Sequence, residues 1–208
     1  MNNENEIRRR YATDQQWAKT SLSWRALKPK INFDTIDETD ESISEYCNRV
    51  LKVVHLPYEV AEQWLYRLYF NPHNILNYGW IEYENIDFVL SKFSTKALKN
   101  TRVINEFTRY VEEIANCLPF DDFMCLQRDK QHWINAGTWR VPPIIVDVES
   151  FNIIPEHADF SGKLQLVEGH TRFGYFLSLY RSGKKLAANH KVYLLRKHKM
   201  HNARLERL

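Results

Sequence analysis

The sequence predicts an α+β fold in which a helical N-terminal portion packs on a small sheet domain. Two observations lead to this prediction. Apolar residues recur at steps of three and four over residues 43–118, which is typical of amphipathic helices. Over residues 140–195 the pattern changes to short β-branched or alternating runs with one helical stretch among them. The chain has 208 residues, 44% of them apolar, so it can bury a core without disulfides or metals.

The helical portion, residues 41–130, follows a polar arm, residues 1–40. We expect residues 1–12 to be disordered and the rest of the arm to be an irregular strap. Ser42 and Glu45 have the spacing of a capping box, which predicts a helix directly after Ser42. Further helices are predicted from Pro57 to the Asn71-Pro72 stop, more weakly over residues 85–93, and from about residue 103 to a stop at Pro119.

The sheet domain, residues 131–208, should hold three strands and one helix. Residues 143–148 form a β-branched run opened by prolines, and residues 164–167 alternate like a strand after a Ser-Gly turn. A helix with Gly183 near its end should follow, and residues 191–195 read as the last strand. The predicted order is therefore strand, turn, strand, helix, strand.

The junction between the second of these strands and the helix is the most informative segment. Residues 168–172 read Glu-Gly-His-Thr-Arg. The first turn of a helix has free N–H groups and the positive end of the dipole. Gly169 lets a ligand approach the backbone, Thr171 can donate a hydrogen bond, and Arg172 can bind two phosphate oxygens at once. These features predict a phosphate-binding turn.

The same residue types also allow a purely structural interpretation. Arg172 can pair with Glu168 or with Asp147 on the preceding strand, and would then tie the helix to the sheet. Spacing alone does not decide between the two interpretations.

The order of these segments resembles the ParB/sulfiredoxin superfamily. Its members have a P-I-x-V strand, here residues 143–146, and then a [L/V]-x-[D/E]-G-x-x-R turn, here residues 166–172. A helix and a closing strand, here residues 192–195, complete the likeness. The resemblance covers roughly residues 138–196 and implies a small mixed sheet, while the first 130 residues match nothing we can name.

The resemblance implies nucleotide binding at the turn, with ATP or CTP and Mg²⁺ as the cofactors. Gly169 matches the turn glycine of the motif and Arg172 its phosphate-gripping arginine, with His170 and Thr171 in the two variable places. Glu168 stands where kinase-like members have an acid. A nucleotide hydrolase or phosphotransferase would then use Glu168 as its catalytic acid.

A metal ion at the turn would use Glu168 together with Asp147. The chain also departs from the family. Partitioning proteins have Gly-Glu-Arg-Arg where this chain has Gly-His-Thr-Arg, and no helix-turn-helix domain is evident after the sheet domain. His170 stands where sulfiredoxin has its cysteine, so we do not expect this chain to reduce sulfinic acids.

The alternative function is a non-enzymatic DNA- or protein-binding module that uses the same fold and its basic C-terminal end. Residues 131–208 carry 12 basic and 6 acidic residues, and residues 181–208 hold nine Lys or Arg and one acid. A flexible charged end is the plainer interpretation of that segment. It could also dock on the acidic cluster at residues 34–45.

Two other groups of residues are weaker candidates. Glu156, His157 and Asp159 gather metal-ligand types in one loop, although a solvated loop is the simpler interpretation. Trp133 and Trp139 could stack on a base, although such residues are more often core.

The composition also bears on location and partners. The apolar runs are too short for a membrane span, and the first residues lack the apolar region of a secretory signal. Three well-separated cysteines rule out a disulfide framework and a zinc site made of cysteine alone. These observations predict a cytoplasmic protein and leave its oligomeric state open, while a nucleotide as its main partner is what the resemblance implies.

Overall fold

The computed structural model describes residues 13–30 and 41–198. The predicted disorder of residues 1–12 and most of the acidic cluster lie outside these ranges. Residues 13–30 of the predicted strap form two short helices, α1 (Asp14–Ala18) and α2 (Leu22–Ala26). The side chains of Thr13 and Ser21 accept hydrogen bonds from backbone N–H groups of these helices, which explains why such short segments are helical.

Seven further helices follow in the described part of the chain. They are α3 (Ile43–Val50), α4 (Tyr58–Val60, π-helical Ala61–Leu65 and Tyr66–Leu68 in succession), α5 (Pro72–Tyr78), α6 (Thr95–Leu98), α7 (Asn105–Ala115), α8 (Gln127–Ala136) and α9 (His170–Arg181). The predicted capping box is confirmed, because the Ser42 side chain accepts from the Glu45 N–H and the Glu45 carboxylate accepts from the Ser42 N–H. Among the described residues, every helix is too short or too polar to cross a bilayer.

Four strands form one mixed sheet, β1 (Ile86–Ser94), β2 (Ile144–Asp147), β3 (Leu164–Glu168) and β4 (Asn189–Lys197). Their spatial order is β1-β4-β2-β3. Strand β4 is antiparallel to β1 and parallel to β2, and β2 is antiparallel to β3. The α+β fold and the three predicted strands of the sheet domain are therefore confirmed.

The predicted helix over residues 85–93 is wrong, because these residues form the edge strand β1. The strand pairs along its whole length with β4, from Ile86 opposite Lys197 to Ser94 opposite Asn189. Its hydrogen-bonding partner is about a hundred residues away in sequence, so a local periodicity could not show it. Strand β1 also means that the N-terminal half contributes directly to the sheet.

The sheet is the middle layer between two groups of helices. Successive side chains of a strand point to opposite faces. Accordingly Ile144 and Val146 join the core formed with α2–α5, whereas Ile145 joins the core formed with α7–α9. The N-terminal helices α2–α5 thus pack on one face, as predicted, and the turn between β3 and α9 lies where both layers meet the sheet.

Candidate functional site

The predicted strand-to-helix junction is confirmed. Strand β3 ends at Glu168, Gly169 is the N-cap, and α9 begins at His170. Gly169 has a φ of 98°, and a Cβ atom on it would lie 2.6 Å from the Cβ of Pro143. The glycine is therefore required by the left-handed backbone and by the packing of the turn against the start of β2.

Arg172 reaches back from the first turn of α9 to two partners. Its Nη2 donates to Glu168 Oε2 at 2.5 Å and to Gln63 Oε1 of α4 at 2.7 Å. The pairing of Arg172 with Glu168, one of the two pairings that the structural interpretation allowed, is therefore present. Glu168 is 18% exposed, and burial raises its pKa above the ordinary value even though Arg172 lowers it.

Asp147 does not take part in this cluster. Strands β2 and β3 are antiparallel, with Ile144 opposite Glu168 and Asp147 opposite Leu164. Three residues of strand separate the two carboxylate positions by roughly 10 Å. The prediction that Asp147 approaches the turn and shares a metal ion with Glu168 is therefore wrong. Within residues 13–30 and 41–198, no group of three or more His, Cys, Asp and Glu side chains is placed to hold a metal ion.

The two variable residues of the turn contact helix α7. The hydroxyl groups of Thr171 and Tyr110 lie 2.7 Å apart, and the ring of His170 lies 4.4 Å from that of Phe107. Burial, with a smaller effect of the Arg172 charge, lowers the pKa of His170 to about 4, so the imidazole is neutral at pH 7. Its Nε2 is buried without a hydrogen-bond partner in the described structure.

The turn lies between two clefts. Cleft 1, of about 680 Å³, and cleft 2, of about 520 Å³, are both lined by Thr171 and Arg172. The main other residues of cleft 1 are Cys125, Asp129, Trp133, Trp139, Arg140 and Tyr175. Those of cleft 2 are Asn71, Asn74, Phe107, Tyr110, Glu168 and His170. A ligand bound at the first turn of α9 can therefore extend to either side.

Among the described residues, both arginines at these clefts are paired through a single nitrogen. Arg140 in cleft 1 donates to Asp129 at 2.5 Å. Both hydrogen bonds that the described residues make to the Arg172 guanidinium use Nη2, and its Nε is buried without a partner. Nη1 of Arg172 makes no hydrogen bond to the described residues, so it is the part of this guanidinium with unused hydrogen-bonding capacity.

The other sequence candidates have structural roles. Trp133 and Trp139 are 2% and 3% exposed and belong to the α7–α9 core, although both also reach cleft 1. The Asp159 carboxylate does not lie free in a solvated loop, because it pairs with Arg102 and accepts the Asn105 N–H at 2.7 Å. It therefore fixes the start of α7, the helix that carries Phe107 and Tyr110.

The basic C-terminal end is described only as far as residue 198. Arg181 pairs with Glu112 at 2.8 Å, and Arg196 lies 4.0 Å from Asp87. Part of the basic segment is thus neutralised by acids of the N-terminal half. Its remaining residues, 199–208, lie outside the described range.

Sequence reasoning missed the contribution of the N-terminal half to this site. Gln63, Phe107 and Tyr110 contact the turn from α4 and α7. Phe107 lies in the helix predicted from about residue 103 to Pro119, but nothing in its sequence context indicates a site, and no local signal distinguishes Gln63 from other glutamines. Comparison of the chain with protein-family models, with curated proteins and with solved structures finds no match.

Proposed function

We propose that this chain binds a nucleotide whose phosphates lie at the first turn of α9, between the two clefts. The observation that carries the proposal is that Thr171 and Arg172, the two donor side chains of the turn, line both clefts. The backbone N–H groups of that turn and the helix dipole favour an anion at the same place. The resemblance of residues 166–172 to a nucleotide-binding turn supports the same assignment.

The Nη1 atom of Arg172, which makes no hydrogen bond to the described residues, is suited to a phosphate oxygen. A hydrogen bond from an arginine to phosphate is charge-assisted and about twice as strong as a neutral one. Aromatic residues line both clefts, and the partly exposed ring of Phe107 in cleft 2 can stack on a base. The site therefore offers both a phosphate contact and a surface for stacking.

Glu168 would provide the acid for phosphoryl chemistry. It lines cleft 2 beside the proposed phosphate position. A magnesium ion that arrives with a nucleotide needs one or two protein carboxylates in addition to phosphate oxygens, and Glu168 can supply one. When bound, such an ion neutralises phosphate charge. Glu168 itself would orient the acceptor and take its proton, a task for which a raised pKa is suited.

The test is a thermal shift measurement on the whole chain with ATP, CTP and GTP, each with and without Mg²⁺. A nucleotide at 100 times its dissociation constant stabilises the folded state by about 2.7 kcal/mol. A nucleotide-dependent rise in melting temperature supports the proposal. Stabilisation by duplex DNA and by none of the nucleotides would instead favour the alternative, a binding module that uses the basic end.

A further inference from the structure

Helix α4 contains a π-helical segment, and a residue of that segment reaches the site. Segments of this kind are rare and occur frequently at functional positions. Gln63 lies within the segment Ala61–Leu65, and both the nitrogen and the oxygen of its side-chain amide form hydrogen bonds. The Nε2 atom donates to the carbonyl oxygen of Pro142 at 3.1 Å, and Oε1 accepts from Arg172 Nη2 at 2.7 Å.

These two bonds fix the Gln63 side chain with its oxygen toward the arginine. Pro142 accepts only through its carbonyl oxygen, so the amide nitrogen must face Pro142 and the amide oxygen must face Arg172. Gln63 does not line either cleft. It therefore acts on the turn through Arg172 and not by touching a ligand.

The consequence concerns the way Arg172 pairs with Glu168. An arginine and a carboxylate favour a two-point contact in which two nitrogens face two oxygens. Here the contact uses one nitrogen, Nη2, which Gln63 shares. Gln63 thus shares the one nitrogen that contacts Glu168, and Nε has no partner among the described residues.

We propose that Gln63 is a positioning residue of the nucleotide site, which keeps Arg172 available to phosphate by preventing its two-point pairing with Glu168. The inference rests on the proposed nucleotide binding. It assigns a role in that site to the N-terminal helices, outside the segment with the family resemblance. It also makes a specific prediction, because any loss of nucleotide affinity on replacing Gln63 must depend on the charge of Glu168.

The experiment measures nucleotide affinity by calorimetric titration in four proteins, with the nucleotide that most stabilises the wild type. They are the wild type, Gln63→Met, Glu168→Gln and the double variant. We expect Gln63→Met to weaken binding about tenfold, the equivalent of one hydrogen bond. In the Glu168→Gln background the same change should have an effect of about twofold or less, because no carboxylate remains to capture Arg172.

Gln131→Met is the matched control, since the Gln131 side chain donates to that of Asn135 on the exposed face of α8, and this variant should bind nucleotide like the wild type. An equal loss in both backgrounds, or no loss in either, would overturn the role of Gln63. If Gln63→Met does not fold, Gln63→Glu keeps an acceptor for Arg172 and should also weaken binding, through its added negative charge. Absence of binding by the wild type would instead reject the proposed function.

Discussion

Two arginine–glutamate ion pairs in this molecule have the same chemistry and different surroundings. Arg49 contacts both oxygens of the Glu41 carboxylate, with Nε 3.1 Å from Oε2, and also donates to the backbone carbonyl groups of Ala26 and Lys28. Glu41 accepts the Lys30 N–H at 2.9 Å as well. Burial tends to raise the pKa of Glu41, but these hydrogen bonds outweigh burial and leave the pKa below its ordinary value.

The pair of Arg172 and Glu168 is incomplete by comparison. It is made through one nitrogen, the Nε of Arg172 has no partner in the described structure, and the pKa of Glu168 lies above its ordinary value because burial prevails. The first pair is closed and joins α3 to the N-terminal segment. The second leaves donors beside two clefts, so completeness of pairing separates a structural ion pair from a candidate site.

The largest expected effect is on stability, from Arg49→Met. The change leaves the Glu41 carboxylate, which is 5% exposed, without its main partner. Breaking a buried pair costs about 3–5 kcal/mol, and the partial exposure of Arg49 favours the lower value. We expect the free energy of unfolding in urea to fall by about 3 kcal/mol, with nucleotide affinity of the folded protein unchanged. A loss below about 1 kcal/mol would show that the pair is not closed in solution.

Glu168→Gln should affect turnover more than stability. It keeps the size of the side chain and removes the charge that would orient an acceptor. General-base help is typically 10²–10⁴-fold, so we expect roughly a 10²-fold slower Mg²⁺-dependent turnover of radiolabelled ATP or CTP and little change in affinity. Glu41→Gln is the matched control and should leave the rate of the folded protein intact. No turnover by the wild type would leave nucleotide binding as the whole function.

Arg172→Met should lower nucleotide affinity more than stability, the opposite of what we expect for Arg49→Met. The lost charge-assisted contact lowers nucleotide affinity by roughly tenfold to a hundredfold. The free energy of unfolding should fall less than for Arg49→Met, because Arg172 makes fewer hydrogen bonds to the described residues than Arg49 and burial already raises the pKa of Glu168. Calorimetric titration and urea unfolding of both variants measure the contrast. A large loss of stability with unchanged affinity would assign Arg172 a structural role only.

Much of the fold was predictable because its signals are local. The capping box at Ser42, the strand at residues 144–147 and the turn before α9 depend on neighbours in sequence. Strand β1 was not predictable in this way, since it is defined by pairing with β4. Helix α8 was missed because its polar sequence shows little apolar periodicity, and it is held mainly by the burial of Trp133.

The site was predictable only in its central turn. Residues 168–172 were singled out correctly as a strand-to-helix junction, and the structure places two clefts beside it. The pairing of Glu168 with Arg172 was one of the two interpretations offered, whereas the approach of Asp147 was wrong, because the strand register places Asp147 opposite Leu164. Gln63 is about a hundred residues from Arg172 in sequence, and only the packing of α4 on the sheet brings the two together.

Two histidines extend the comparison of closed and open sites to pH. His190 is fully buried, and its Nδ1 and Nε2 lie 2.8 and 3.1 Å from the hydroxyl groups of Thr138 and Thr95. His170 lies at cleft 2 with its Nε2 unpartnered. Burial lowers the pKa of each to about 4.

The last effect we predict is on the pH dependence of stability. The ordinary pKa of histidine is about 6.5, so between pH 6.5 and 4 the unfolded chain binds more protons than the folded chain. The free energy of unfolding therefore falls as the pH falls, by about 1.4 kcal/mol per pH unit for each histidine well inside that window.

His190→Gln, which can still bond the threonine hydroxyls, should reduce this slope whether or not nucleotide is present. His170→Gln should reduce it only without nucleotide, because a phosphate at the turn favours the charged imidazole and raises the pKa of His170 in the complex. Urea unfolding of both variants from pH 4.5 to 6.5, with and without nucleotide, measures the difference. If nucleotide leaves the effect of His170→Gln on the pH slope unchanged, as it should for His190→Gln, the phosphates lie away from His170.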